Sequence, residues 1–227
     1  AEAGWLGIAM PERFGGAGLG ITEASIMMQA IAESGAGMSG ASAVHINIFG
    51  LEPLILFGTE EQQQRSIPSI AAGTDKACFA VTEPNVGLNT TQLKVRAERK
   101  DGGYLVNGEK IWISTAQVAN KMLLLARTTP LDQIKRKTDG LSLFYTDFDR
   151  SKIETRLIHK MGRHAVDSNM LFIECSLQPK PLGLAALPSR RPPNMPRSAS
   201  SSIAPSARTR ASSIRWPNAG HNWRRRT

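Results

Sequence analysis

The sequence predicts an α+β chain in three parts: an α-helical N-terminal domain over residues 1–75, an antiparallel β-sandwich or β-barrel over 76–176, and a disordered tail over 177–227. Apolar residues recur at helical spacing before residue 75, the period falls to two from Lys76 onward, and no hydrophobic period survives beyond Leu177.

In the helical part, Thr22 is placed to cap a helix whose apolar positions are Ala24, Met27, Ala30 and Ile31, with Gly35 and Gly37 as stop signals. A second helix is predicted from about Ala41 to Phe57, ending at Gly58. Thr59-Glu60-Glu61-Gln62 reads as a capping box opening a third, because the Thr hydroxyl and the Gln amide can satisfy two otherwise unpaired N–H groups. The glycine-rich segment Gly15 to Gly20 follows no strand and reads as a loop rather than a nucleotide cradle.

Strands follow: Cys78 to Thr82, then Leu93 to Glu98, where apolar and polar residues alternate. Asp101-Gly102-Gly103 supplies a hairpin turn, Tyr104 to Val106 restarts the strand, and Asn107-Gly108 reads as a second hairpin turn. Ile111 to Ser114, Lys121 to Arg127, Leu141 to Tyr145 and Met170 to Ile173 complete the series. There is no βαβ alternation, which argues against a doubly wound dinucleotide-binding sheet.

A net charge of +9 raises nucleic acid as a partner, but its distribution excludes that for the domains. From Leu177 to Thr227 there are ten basic and no acidic residues, leaving 18 basic and 19 acidic groups, net −1, in residues 1–176. The tail also holds eight of the 13 prolines and eight serines, and it lacks Tyr and Phe. Such a composition cannot offset its ordering entropy. Arg224-Arg225-Arg226 reads as solvated charge. Two cysteines, Cys78 and Cys175, make no disulfide framework and fit a reducing compartment. The longest apolar runs, such as Met122 to Ala126, are strand-sized, so no membrane span is expected. The opening Ala1-Glu2-Ala3-Gly4 suggests that the true start lies upstream.

Two stretches carry the candidate chemistry. Phe79-Ala80-Val81-Thr82-Glu83-Pro84-Asn85-Val86-Gly87-Leu88-Asn89 runs from a strand into a Pro/Gly-broken loop, a junction that leaves backbone N–H groups free for a planar heterocycle or a phosphate. Asn107 to Ser114 sets Trp112 and Ser114 two apart on one strand face, an aromatic plane beside a hydroxyl. On physics alone Trp112 reads more simply as core, Glu83 as structural, and His45 as a core or interface histidine. Arg163-His164 with Asp167 reads as a solvated loop, the alternatives being an ion-pair cluster or a phosphate contact.

Together, Phe79 to Pro84 with Gly87, then Asn107-Gly108-x-Lys110-x-Trp112-Ile113-Ser114, resemble the two signature segments of the acyl-CoA dehydrogenase family. Pro11-Glu12-x-x-Gly15-Gly16-x-Gly18 and Met161-Gly162 are similar to further family positions, colinear over residues 1 to about 174. The resemblance implies a helical domain, a β-barrel middle domain and bound FAD. Carried over by position, Phe79, Val81 and Thr82 would lie along the flavin ring. Gly87 and Leu88 would meet its ribityl or pyrophosphate and the substrate's thioester arm, and Trp112, Ile113 and Ser114 would flank the isoalloxazine. The chain departs from the family at Leu88-Asn89, commonly Ser-Asp, and at Ser114, commonly Thr; Leu88 cannot make the serine's hydrogen bond.

The implied reaction is α,β-dehydrogenation of an acyl-CoA thioester to a 2-enoyl-CoA, with electrons passing to an electron-transfer flavoprotein in a homodimeric or homotetrameric enzyme. Its location is the cytoplasm if bacterial and the mitochondrial matrix if eukaryotic. The family's catalytic base is a Glu in a C-terminal helical domain, so no catalytic residue is assigned in this chain.

The resemblance stops near Glu174. With suitable synonymous codons, the bases of Met195 to Asn218 read one position earlier spell YAAERIVFDRPIGQNQGIQHPLAE, which resembles a helix of that C-terminal domain. The tail is therefore expected to be an out-of-frame translation of a lost domain, and the chain to be inactive or weakly active. Competing readings are an acyl-CoA oxidase or flavin monooxygenase of the same fold, and a non-enzymatic binder whose basic tail contacts nucleic acid.

Overall fold

Helices form where the apolar spacing predicts them, with boundaries set by local hydrogen bonding. In the computed structural model, which describes residues 2–177, α1 spans Ile21–Ile31, α2 Gly37–Ile48, α3 Glu52–Phe57 and α4 Glu60–Ala71. The disorder expected of the tail concerns residues outside that range. Thr22 lies inside α1 rather than capping it; Gly20 is the cap, its N–H bonded to the Glu23 carboxylate at 2.9 Å. Gly35 (φ 93°) and Gly37 (φ 55°) break the helix as anticipated, but α2 resumes at once rather than at Ala41.

The single helix expected over 41–57 is split into α2 and α3, with Pro53 in the first turn of α3. Its ring lacks an N–H and crowds the carbonyl four residues back, which favours a break there. The Thr59 capping box forms as read: Gln62 N–H donates to Thr59 Oγ1 at 3.2 Å and Thr59 N–H to Gln62 Oε1 at 2.8 Å. The run Ile21–Phe57 contains an 18-residue window of mean hydropathy 1.4, long and apolar enough by composition to cross a bilayer. It is interrupted at both breaks and buries Ala24, Met27, Ile48 and Leu54 in the core.

Seven strands follow: β1 Ala77–Ala80, β2 Arg96–Lys100, β3 Gly103–Ser114, β4 Lys121–Arg127, β5 Leu141–Asp147, β6 Ile153–Leu157 and β7 Ser168–Leu177. They form one curled sheet in the order β1-β4-β2-β3-β7-β6, with β5 on the other edge of β4. The sheet is mixed, which corrects the expectation of an antiparallel barrel: β1 runs parallel to β4 from Ala77↔Lys121 to Ala80↔Leu124. The cause is a clamp at their common start. Asn120 Oδ1 accepts Lys76 N–H at 2.7 Å, and Lys76 O accepts the N–H groups of Asn120 and Lys121, so both strands leave one point in one direction.

Asp101 (φ 47°) and Gly102 (φ 79°) make the predicted hairpin between β2 and β3. Asn107-Gly108 makes no turn, because β3 continues through it. Gly108 (φ 145°) is needed for close approach instead: a Cβ there would lie 2.6 Å from Val95 Cγ2.

The curl encloses a core of Ala80, Val95, Val106, Ile113, Met122, Leu124, Phe144 and Leu171. On the other face Leu123 and Leu143 pack with Leu51, Leu54, Ile67 and Ile70 of the helices. Because β4 is covered on both faces, it reads as an unbroken apolar run rather than an alternating one.

Candidate functional site

The two signature segments meet where the chain leaving β1 runs against β3. Past the end of β1, Val81–Thr82–Glu83 lies against β3: Ile111 N–H donates to Thr82 O at 2.9 Å, and Lys110 Nζ donates to Val81 O at 2.9 Å and Glu83 Oε1 at 3.0 Å. Glu83 and Val86 exchange both backbone hydrogen bonds, 3.1 and 3.0 Å, in a tight turn over Pro84-Asn85. That turn brings Gly87 back beside Thr82; a Cβ on Gly87 would sit 3.8 Å from Thr82 Cγ2, in ordinary contact.

Each candidate residue can now be located. Phe79 is exposed on β1, Val81 and Thr82 are half-buried, and Gly87 and Leu88 are exposed. Trp112 is 58% exposed, so it is not a core residue. The pairing of β3 with β7 shifts register between Lys110 and Ile113, and Trp112 adopts φ 62°, a left-handed geometry that a bulky residue rarely takes. Ile113 is 1% exposed and its side chain sits in the core, leaving Trp112 and Ser114 as the side chains available on this stretch.

Among the described residues, the hydroxyls of Thr82 and Ser114 and the main-chain N–H groups of Thr82, Gly87 and Leu88 have no hydrogen-bond partner. A planar heterocycle with polar edges and an attached diphosphate needs donors of this kind beside an aromatic surface, so the residues present fit FAD. A cavity of about 270 Å³ adjoins the end of β3, lined by Leu6, Asn47, Lys76, Thr115, Val118 and Asp167 among others.

Glu83 is buried, and its carboxylate is fully engaged: it accepts Lys94 N–H at 2.7 Å, Val95 N–H at 3.0 Å and the Lys110 ammonium. Lys110 is 0% exposed and also donates to Leu125 O at 2.7 Å. Burial pulls its ammonium down to about 8, with Glu83 opposing the shift. In the sequence Lys110 stands out only as one letter of the second signature segment. The available signal was its place two residues beyond Gly108 on the inward face of a strand, where a charge needs a partner.

Arg163, His164 and Asp167 form no ion-pair cluster. Arg163 Nη2 donates to Ser42 Oγ at 2.6 Å, and His164 Nε2 is 2.7 Å from Lys160 O. Asp167 accepts the N–H groups of Thr115 and Gln117 and the Asn169 amide, which fastens the end of β3 to β7. His45 is neither buried nor in a core; it is exposed and its ring lies 5.5 Å from that of Phe49.

Comparison with known proteins bears on the same residues. The family model "Acyl-CoA dehydrogenase, N-terminal domain" matches residues 1–74, and "Acyl-CoA dehydrogenase, middle domain" matches 78–175. An acyl-CoA dehydrogenase of Bacillus subtilis is 35% identical over 144 residues, covering 63% of this chain and 37% of that protein. Benzylmalonyl-CoA dehydrogenase of Aromatoleum aromaticum is 33% identical over 177 residues, 77% of this chain and 45% of the relative. The crystal structure of an acyl-CoA dehydrogenase from Geobacillus kaustophilus superposes with a TM-score of 0.73 at 26% identity, covering 80% of this chain and 48% of its own. The chain thus spans less than half the length of each of these three.

Proposed function

The chain belongs to the acyl-CoA dehydrogenase family, and from that premise we propose that residues 79–88 and 112–114 form one wall of an FAD site serving α,β-dehydrogenation of an acyl-CoA thioester. The observation that carries this is the pairing of the two signature segments through Thr82 O and Ile111 N–H, with the Thr82 and Ser114 hydroxyls left unpartnered beside exposed Trp112.

Thr82 and Ser114 would hydrogen-bond the polar edge of the flavin ring, Phe79, Val81 and Trp112 would cover it, and the Gly87 and Leu88 amides would meet the ribityl or diphosphate. Bound flavin supplies a two-electron acceptor. The protein's share is to fix that acceptor's orientation and keep water from it. Leu88 offers the thioester arm only apolar surface and its main-chain N–H. An acyl-CoA substrate, an electron-transfer flavoprotein as acceptor and a homo-oligomeric assembly belong to the same reading, as does a base outside residues 1–176.

The frame-shifted string at 195–218 supports the further reading that this 227-residue chain retains FAD weakly and turns over little acyl-CoA. Sequencing the gene tests it directly, since the actual codons either encode that string in the neighbouring frame or do not. Assay of the purified chain against an acyl-CoA, with an artificial electron acceptor or with oxygen, tests the activity. Little turnover is expected, and robust turnover overturns the weak-activity reading. Reaction with oxygen alone favours an oxidase or monooxygenase over the dehydrogenase.

A further inference from the structure

We propose that Lys110, acting with Glu83, is a positioning residue for the flavin wall: it holds the Val81–Thr82–Glu83 main chain in register with β3 immediately before the bulge that turns Trp112 outward. The proposal rests on the FAD reading above and adds to it the group that sets the wall's geometry.

An ammonium with no exposed surface is an expensive choice for an interior strand position, where an apolar residue of similar volume would pack at lower cost. Lys110 meets that cost with three acceptors drawn from two segments: Val81 O and Glu83 Oε1 after β1, and Leu125 O on β4. The next residue, Ile111, donates to Thr82 O. Residues 110 and 111 therefore grip 81, 82 and 83 in succession, and those three join the strand carrying Phe79 to the loop carrying Gly87 and Leu88.

Glu83 carries the grip further, since its carboxylate also takes the N–H groups of Lys94 and Val95 ahead of β2. On the other side, Trp112 follows at φ 62° within the register shift, and Ile113 returns to the core. A bulge leaves one residue unpaired and re-aims its side chain, and the burial pattern of the flanking residues sets the register in which it falls. Ile113, packed in the core, is the anchor after it; Lys110 is the anchor before it. One side chain thus fixes the two signature segments of the wall relative to each other.

The test compares the 227-residue chain with Lys110→Met and with the double variant Lys110→Met/Glu83→Gln. The single variant strands a buried carboxylate and is expected to lose stability; the double variant removes that charge, so its stability recovers toward wild type. A purely structural role makes FAD affinity recover along with stability. A positioning role leaves the double variant well folded yet at least tenfold weaker for FAD, read by flavin quenching of tryptophan fluorescence in chains where Trp5, Trp216 and Trp223 are Phe.

The amide of Ile111 gives a second readout that needs no cofactor. In the double variant its hydrogen exchange is expected to accelerate at least tenfold while amides of Leu124 and Phe144 keep wild-type protection. Unchanged Ile111 protection, or FAD affinity that returns with stability, overturns the proposal. If the parent chain itself shows no FAD-dependent quenching, the reading that this chain retains FAD weakly fails, and the Ile111 amide alone decides whether Lys110 holds the two segments together.

Discussion

Lys110 and Glu83 lie 27 positions apart in sequence and 3.0 Å apart in the fold. Breaking a buried pair leaves an uncompensated charge, so Lys110→Met is expected to cost about 3–5 kcal/mol in urea unfolding. Gly108 makes a different demand: Gly108→Ala places a Cβ against Val95 at a φ that L residues avoid, and a loss of about 1–3 kcal/mol is expected. The buried thiols set an alkaline limit. Burial pushes Cys78 from 9.0 up to about 12 and Cys175 up to about 11, and it raises the Tyr145 phenol as well. The unfolded chain releases these protons first, so their contribution to stability is complete below pH 9 and is lost as pH rises through the folded values. Lys110 acts with the opposite sign: the unfolded chain keeps its proton between about pH 8 and 10.5, so stability gains there. Cys78→Ala/Cys175→Ala should therefore flatten the fall in unfolding free energy between pH 9 and 11; an unchanged slope contradicts the assignment. Local signals mark the two segments as a strand–loop junction and an aromatic beside a hydroxyl, but only the family resemblance assigns Phe79, Thr82 and Trp112 to a flavin; on physics alone Trp112 reads as core. The sequence did not reveal that Trp112 needs a left-handed backbone, nor which group anchors the bulge, since both depend on pairing with β7 and with residues 81–83.

At the scale of elements, what was legible is what short-range chemistry decides. The Thr59 box is a four-residue signal, and Thr59→Ala should cost about 1 kcal/mol of stability through loss of the cap. The hairpin at Asp101–Gly102 was legible for the same reason. Asn107-Gly108 misled because it has the composition of a tight turn, whereas the glycine serves close packing against Val95. Parallel pairing of β1 with β4 could not be read at all, as it depends on Asn120 reaching back 44 residues to Lys76. Asn120 Nδ2 also donates to Thr74 O at 3.2 Å and Asp75 Oδ1 at 3.1 Å. Asn120→Ala is expected to remove about 1–3 kcal/mol, with exchange at Ala77 and Cys78 rising before that at β5.

For the whole molecule, helices on one face of a curled sheet leave the signature segments together at one side of the chain, with donors unused and Trp112 turned outward. Those features fit a flavin, and the family membership of residues 1–175 gives the fit its chemical meaning. The charge of +9 says little about a ligand, since residues 1–176 sum to −1 and the excess lies in a tail that suitable synonymous codons, read one base earlier, would turn into a family-like helix. The most direct measurement is an FAD titration of the purified chain beside one translated in the neighbouring frame from residue 195. The account predicts weak binding by the first and tight binding of one FAD per chain by the second, with Trp112→Ala and Thr82→Ala each weakening both. A frame-corrected chain that takes up no FAD, or binding indifferent to Trp112 and Thr82, would contradict it.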